Sequence, residues 1–529
     1  MKRTILITAG CMFGLLLFGQ KNVTPKSAKT VTQVTVSIPD QPASIDPMIY
    51  GQMLEDCNDR VIYGGVVGST GQPNPAVTEL LKPLNMPVMR WPGGTYVDEY
   101  DWEKGIGDVS KRPVIHARQW GQVETNQFGT DEFLEWCREV GTEPYINFNM
   151  GWRVPPESGS LGDALNWIEY VNGSTSTAFG KKRALYGHPD PYDVKYWGMG
   201  NENYFFESAA HYGDRLHRWA TTIKSLYPEL SLIGVGYKYR WNDSILHQNG
   251  HLIDFLTIHF YMRAKVKENI LEDSLSTTFA PARVELDLKK NIELLDRINA
   301  ELGRTANPVR YSIDEWNCRH SVFDGEKFAF TRHDDRRQFD IPTVAGMLNV
   351  FIRQSPAVGM ANYIFPVNGH GLVRTTSDSD AYRTPTYYVF ELYRKYMTGH
   401  RFDLSITGST VTVPVKNLAV EGATDREFES LDLTLTNIDG AAMQPEEGVI
   451  YVALINRSPD ESHRIKLTLP ASYIPAKIWK LESNNINSTN TLANPIITPQ
   501  TSELKKRSET LSLTILPCGF NLIKCIKSR

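Results

Sequence analysis

Between Ile49 and about Tyr396 of this 529-residue chain, apolar strand-like runs alternate eight times with longer helix-like segments, and beyond Tyr396 the texture changes to short alternating runs separated by turn residues. The first pattern predicts an α/β fold, a (β/α)8 TIM barrel, and the second a C-terminal all-β sandwich. Length agrees, because a prior of about 150 residues per domain, relaxed for barrels, calls for one large and one smaller unit.

The elements follow in order. Met1-Lys2-Arg3, an apolar run from Thr4 to Phe18 and a polar stretch read as a secretory signal peptide over residues 1–20. The run is short of the roughly 20 apolar residues that span a bilayer, and no later segment reaches that length. The expectation is therefore an exported protein, periplasmic or extracellular, with no integral membrane segment. Cys11 follows Thr8-Ala9-Gly10, a weak lipoprotein box with Thr where Leu is usual, so lipidation is the minority reading.

Residues 31–39 alternate at the strand period; with no place in the barrel, the segment 31–45 is assigned to the sandwich. The barrel is placed at 46–396, with strands at Ile49–Met53, Val88–Trp91, Pro144–Asn149, Val194–Gly198, Ser231–Val235, Phe255–Phe260, Val309–Ile313 and Gly359–Phe365. Helices are expected at Thr130–Val140, Gly162–Val171, Ala209–Ser225, Glu285–Leu302 and Ile341–Gln354. The sandwich, 397–529, takes strands at Ser409–Val415, Ser430–Thr436, Gly448–Asn456, His463–Leu469 and Thr510–Cys518.

Composition narrows the function. The chain has 56 Lys and Arg against 60 Asp and Glu, a formal charge of -4, which gives no electrostatic footprint for nucleic acid. Beyond the leader, Cys57, Cys137, Cys318, Cys518 and Cys525 are odd in number and irregularly spaced, so they read as buried free thiols and not as a disulfide framework or zinc site. The run His333-Asp334-Asp335-Arg336-Arg337 lacks any matching ligand set and reads as a solvated charged loop. No cofactor and no metal are implied.

Two glutamates carry the chemistry. Each closes a strand-like run with Asn and Trp close by: Tyr-Trp-Gly-Met-Gly-Asn-Glu-Asn at 196–203 and Tyr-Ser-Ile-Asp-Glu-Trp-Asn at 311–317. Barrel active sites lie at the C-terminal strand ends, and nearly every strand here ends in polar or aromatic groups that are costly to desolvate and that stability does not need. Placed on strands four and seven, Glu202 and Glu315 face each other across the mouth, as a general acid and a nucleophile or base flanking a glycosidic bond must. A separation of about 5–5.5 Å makes such an enzyme retaining, and about 6.5–9.5 Å inverting. Asn201, directly before Glu202, is positioned to donate to the hydroxyl beside the reacting carbon. His259 next to Tyr261 at the end of strand six reads as a pocket pair rather than a core histidine. Arg90 divides evenly between tying strand ends and touching substrate, and Trp120 and Trp152 between stacking on sugar at the rim and packing in the core.

Several stretches carry a resemblance: 49–55 (IYGQMLE), 90–94 (RWPGG), 98–102 (DEYDW), 123–130 (VETNQFGT), 143–147 (EPYIN), 167–173 (WIEYVNG), 187–189 (GHP), 201–203 (NEN) and 314–317 (DEWN). They run in order from the first strand to the seventh, and on them the chain resembles the glycoside hydrolase family 51 α-L-arabinofuranosidases, retaining enzymes with a (β/α)8 barrel and a C-terminal β-sandwich. The resemblance implies that Glu202 is the general acid/base and Glu315 the nucleophile. It places Glu55, Thr95, Asn201, His259 and Tyr261 in the substrate pocket, with Tyr261 near the nucleophile, and Glu124 and Asn126 in a matching loop.

Departures from the family pattern bear on the substrate. Asp56 stands where His is usual, Thr95 where Asn or Cys is common, and the Gln of strand eight is expected to fall on Phe365, an apolar ring that would alter the pocket; an insertion near 152–159 reshapes the rim. The sequence thus predicts an exo-acting, retaining α-L-arabinofuranosidase that takes arabinan, arabinoxylan or derived oligosaccharides. The rivals are a β-xylosidase or endo-β-glucanase on the same scaffold and a non-catalytic carbohydrate-binding protein. A homo-oligomer is compatible with the sequence.

Overall fold

The computed structural model describes residues 26–57, 59–151, 159–415, 431–505 and 508–528. The expected leader with Cys11, and Trp152 with nearly all of the 152–159 insertion, lie outside these residues.

Eight strands, Gly51–Met53, Val88–Trp91, Glu143–Asn147, Tyr196–Gly198, Ser231–Gly234, Phe255–Lys267, Arg310–Phe323 and Val358–Tyr363, pair in parallel in chain order. The eighth returns to the first through Asn362↔Gly51 and Tyr363↔Gln52, so the barrel closes. Each expected barrel strand is present, because helices cover the outer face and the interior is filled, which makes the runs apolar enough to read.

The helices start and stop where local chemistry directs. Ser160 and Asp163 form a reciprocal capping box for Leu161–Asn172, and Gly141, at φ 75°, ends Thr130–Val140 in the left-handed conformation. One helix is longer than expected: Ser274–Glu301 begins eleven residues before Glu285 and contains Pro281. A proline lacks the N–H that would bond the carbonyl four residues back, which is why the pattern read as a break. Here the Thr343 hydroxyl donates to that carbonyl, Thr277 O, at 3.2 Å, so the acceptor stays satisfied and the helix runs on.

Strands six and seven continue far past the rim, paired from Phe255↔Arg310 to Val266↔Val322, and Phe328–Thr331 folds back antiparallel on the outer half of strand seven. This raised wall stands over one side of the barrel mouth.

The C-terminal strands form a sandwich joined by Lys26–Ser37, which lies parallel to Glu461–Thr468 and antiparallel to His400–Thr407. His400–Thr407 gives its first three residues to Ile438–Glu446 and its later ones to the N-terminal strand, and so turns the corner between the two sheets. Val34, Val36, Val452, Leu454, Ile465, Leu467 and Ile523 fill the space between them. Two expected sandwich strands go elsewhere: Thr410–Val415 and Leu431–Thr436 pair only with each other, and Val413 and Val415 pack into the barrel's apolar cluster. Helix Asp340–Arg353 joins the two units, with Arg353 bridging Glu285 of the barrel and Asp439 of the sandwich at 2.8 and 3.1 Å. All five described cysteines are free and buried.

Candidate active site

The mouth of the barrel is a cavity of about 320 Å³ lined by Glu55, Thr95, Trp120, Glu202, Phe205, Phe206, Tyr261, Glu315, Arg319, Phe330, Arg332 and Ile364. Glu202 and Glu315 both reach it. One carboxylate oxygen of each and a ring nitrogen of His259 lie within 4.8 Å of one another. Two carboxylates this close can flank a single anomeric carbon.

Local backbone aims both groups. Glu202 follows Gly200, at φ 100°, and itself sits at φ 49°, a left-handed conformation uncommon for a residue with a Cβ and found at sites where function holds the chain. Glu315 lies just past a register shift in strand seven, directly beside His259 of strand six.

The charged groups are buried and tightly partnered. Arg90 donates to Glu315 Oε1 and Asn201 Oδ1, both at 2.8 Å, and its Nε lies 3.2 Å from Asp314. Burial opposes the Arg90 charge, yet Asp314, Tyr145 and Glu315 around it hold its pKa above the ordinary value. It does not line the cavity, so of the two readings of Arg90 the tie between strand ends holds, with the second carboxylate as one of the things tied. His259 sits between Glu202 Oε1 and Asp314 Oδ1, at 3.1 Å from each. Burial alone would lower its pKa, but the carboxylates of Glu315, Asp314 and Glu202 raise it to about 10, so it is an imidazolium at neutral pH. Tyr261 donates to Glu315 Oε2.

Glu55 accepts from the Tyr96 N–H at 2.8 Å and the Trp120 indole at 3.1 Å, and burial together with the nearby Glu315 charge pushes its pKa up to about 7. Trp120 is half-buried on the cavity wall, which favours the rim position over the core. Asn201 Nδ2 is buried without a hydrogen-bond partner, a donor left over after its carbonyl is taken by Arg90.

Of the residues the sequence assigned to the pocket, Glu55, Thr95, Tyr261, Glu202 and Glu315 line it, and Asn201 and His259 stand directly beneath. Glu124 and Asn126 do not reach it. Glu124 is buried under the loop, where it accepts from Tyr63, Tyr96 and the Asn126 N–H. Asp56 is buried beside it, and burial with the Glu124 charge lifts its pKa to about 8. Phe365 is also corrected: its ring is fully buried against Val61 and Gly369, and the preceding residue, Ile364, is the one on the cavity wall. The run 333–337 is not a solvated loop either. Arg336 is buried against Asp340, Asn317 and Tyr363, and Arg337 against Asp334, which braces the back of strand seven.

Sequence reading missed Tyr204, whose hydroxyl donates to Glu202 Oε1 at 2.9 Å while its ring stacks on Tyr237. Its place two residues after the glutamate was the available signal. It also missed Arg319, Phe330 and Arg332, which reach the cavity only because strand seven continues beyond the barrel. Glu202, His259 and Glu315 have the spacing of metal ligands as well. Both Glu315 oxygens already accept hydrogen bonds, from Arg90 and Tyr261, so the set is poorly matched to an ion.

Comparison with known proteins agrees with this geometry. Residues 80–278 match the α-L-arabinofuranosidase 1 domain and residues 314–518 the α-L-arabinofuranosidase C-terminal domain. A probable α-L-arabinofuranosidase C of Aspergillus terreus is 31% identical over 480 residues, 85% of this chain and 89% of the relative. An intracellular exo-α-L-arabinofuranosidase of Bacteroides ovatus is 28% identical, over 84% of this chain and 85% of the relative. The solved family 51 α-L-arabinofuranosidase of Thermotoga petrophila superposes with a TM-score of 0.80 at 28% identity, covering 93% of this chain and 99% of that one. With two family models spanning most of the barrel and sandwich, and a relative above 30% identity along most of its length, the chain belongs to the glycoside hydrolase family 51 α-L-arabinofuranosidases.

Proposed function

We propose that this enzyme releases terminal α-L-arabinofuranosyl residues from arabinan, arabinoxylan or their oligosaccharides by double displacement, with Glu202 as acid/base and Glu315 as nucleophile. The observation that carries this is the spacing within 4.8 Å of the two carboxylates in the cavity at the barrel mouth. Glu202, whose Oε1 is held by Tyr204 and His259, gives its proton to the departing oxygen. Glu315, fixed by Arg90 and Tyr261, attacks the anomeric carbon, and the resulting ester is opened by water from which Glu202 takes the proton. Asn201 Nδ2 supplies the hydrogen bond to the neighbouring hydroxyl, and Glu55, Thr95, His259 and Tyr261 complete the sugar site.

Product-stereochemistry NMR on an aryl α-L-arabinofuranoside tests the reading: the first-formed arabinose is the α anomer, and a β product overturns it. A xyloside or glucan activity loses its main support once Phe365 leaves the cavity wall; a panel of aryl glycosides checks this, and preference for the β-xyloside rejects the arabinofuranoside. Export is proposed on the charged and apolar N-terminus alone, and N-terminal sequencing of the mature protein tests it. A start at Met1 counts against it.

A further inference from the structure

The outer wall of the cavity carries two arginines in addition to Arg90 beneath it. Register along strands six and seven sets the levels: His259 pairs with Glu315 at the floor, Tyr261 with Asn317 above it, and Arg263 with Arg319 above that. Arg319 therefore starts four residues beyond the nucleophile, about 13 Å along an extended strand, and its side chain leans back over Tyr261. Its guanidinium lies 3.3 Å from the centre of the Tyr261 ring and 5.3 Å from that of Phe330. Arg332, on the other side, lies 4.8 Å from the Trp120 ring and 5.0 Å from the same Phe330. One of its terminal nitrogens is given to Asp59 at 2.8 Å.

A guanidinium stacked flat on an aromatic face keeps its N–H groups around the edge, where they can meet a planar anion. Both arginines line the cavity, together with the exposed rings of Phe205 and Phe206 that follow Glu202 on the acid/base side. Aromatic faces that suit the apolar side of a pyranose, with cations beside them, describe a sugar that bears a carboxylate. The nucleophile does not need these cations, since Arg90 and Tyr261 already hold it.

We propose that the leaving-group side of the cavity selects a uronosyl residue next to the scissile arabinofuranosyl linkage, with Arg319 and Arg332 recognising its carboxylate. This rests on the reading of the site as an arabinofuranosidase. The experiment uses one arabinosylated, uronate-bearing xylo-oligosaccharide, the same compound with its carboxyl reduced to the alcohol, and a neutral aryl α-L-arabinofuranoside. Parent enzyme at low salt prefers the acid to the reduced form about tenfold in kcat/KM, and the preference shrinks with added salt. In Arg319→Gln and in Arg332→Gln the ratio of the two falls, whatever happens to the rate they share, so loss of packing on Tyr261 or Trp120 does not imitate the result. A ratio near one in the parent, or a ratio unmoved in both variants, overturns the proposal while turnover of the aryl substrate leaves the arabinofuranosidase reading intact. If the aryl substrate is not cleaved, both are overturned.

Discussion

Replacing His259 with Gln removes a charged group that touches both Glu202 and Asp314. In the folded protein this histidine stays protonated to about pH 10, because the surrounding carboxylates outweigh its burial, against 6.5 for the ordinary side chain. The sign follows from linkage: a folded pKa above the unfolded one stabilises fully below pH about 6.5, and that stabilisation is lost as pH rises toward 10. With those two values, the contribution of His259 falls by about 2–3 kcal/mol between pH 7 and pH 9. Urea unfolding of parent and His259→Gln at pH 7, 8 and 9, followed by tryptophan fluorescence, measures it. The parent's advantage over the variant shrinks across this range by an amount of that order. Parallel stability curves, or an advantage that grows with pH, refute the reasoning, because they mean that His259 is neutral between its two carboxylates.

Three further outcomes follow from the same contacts. Glu202→Ala loses most of its turnover on oligosaccharides but much less on aryl arabinofuranosides with acidic leaving groups, and azide, which needs no base, restores rate and yields arabinosyl azide; equal losses on both substrates would contradict the acid role. Tyr204→Phe removes one donor from Glu202 Oε1, which at about 1.5 kcal/mol lowers kcat about tenfold with little change in KM, read from steady-state kinetics. Glu55 has its pKa raised from 4.5 to about 7, so its ionisation costs stability progressively above pH 4.5; Glu55→Gln, a neutral stand-in, raises the urea midpoint at pH 8 more than at pH 5 while raising KM, and an equal shift at the two pH values would sink that account.

The barrel was legible because each strand couples an apolar run to a polar end, a pattern that packing alone does not produce. The two glutamates, Asn201, His259 and Tyr261 were legible for the same reason. What escaped depends on contacts distant in sequence. Pro281 reads as a helix stop until Thr343, 62 residues on, satisfies the freed carbonyl. Strand eight shows how little error is needed: its expected run to Phe365 put that ring in the pocket, but the strand ends at Tyr363, and Ile364 lines the cavity instead. Thr410–Val415 alternates like any sandwich strand, and only the apolar surface it meets sends it to the barrel. Arg319 and Arg332 were invisible because nothing local says that strands six and seven outrun the other six.

Charge balance links these contacts to the change of role that the proposed double displacement demands of Glu202. Beneath the cavity two buried cations, Arg90 and the His259 imidazolium, face three carboxyl groups, Asp314, Glu202 and Glu315. The set is neutral when one carboxyl holds a proton, and leaving a net charge in so dry a place is costly. Arg90 contacts Asp314 and Glu315, and the acid role proposed for Glu202 puts the proton on that side chain. Once Glu315 becomes an ester it loses its charge, and Glu202, having given its proton away, carries the one negative charge that the same two cations still need. The acid becomes the base while the buried sum remains zero, so the two halves of the reaction require no movement of Arg90 or His259. A variant that unbalances the set, Asp314→Asn, removes one negative charge beside His259 and Arg90 and on the proposed roles slows both steps. Burst and steady-state phases measured separately with an activated aryl arabinofuranoside both decline, and a loss confined to one phase would show that the balance is not what sets the proton.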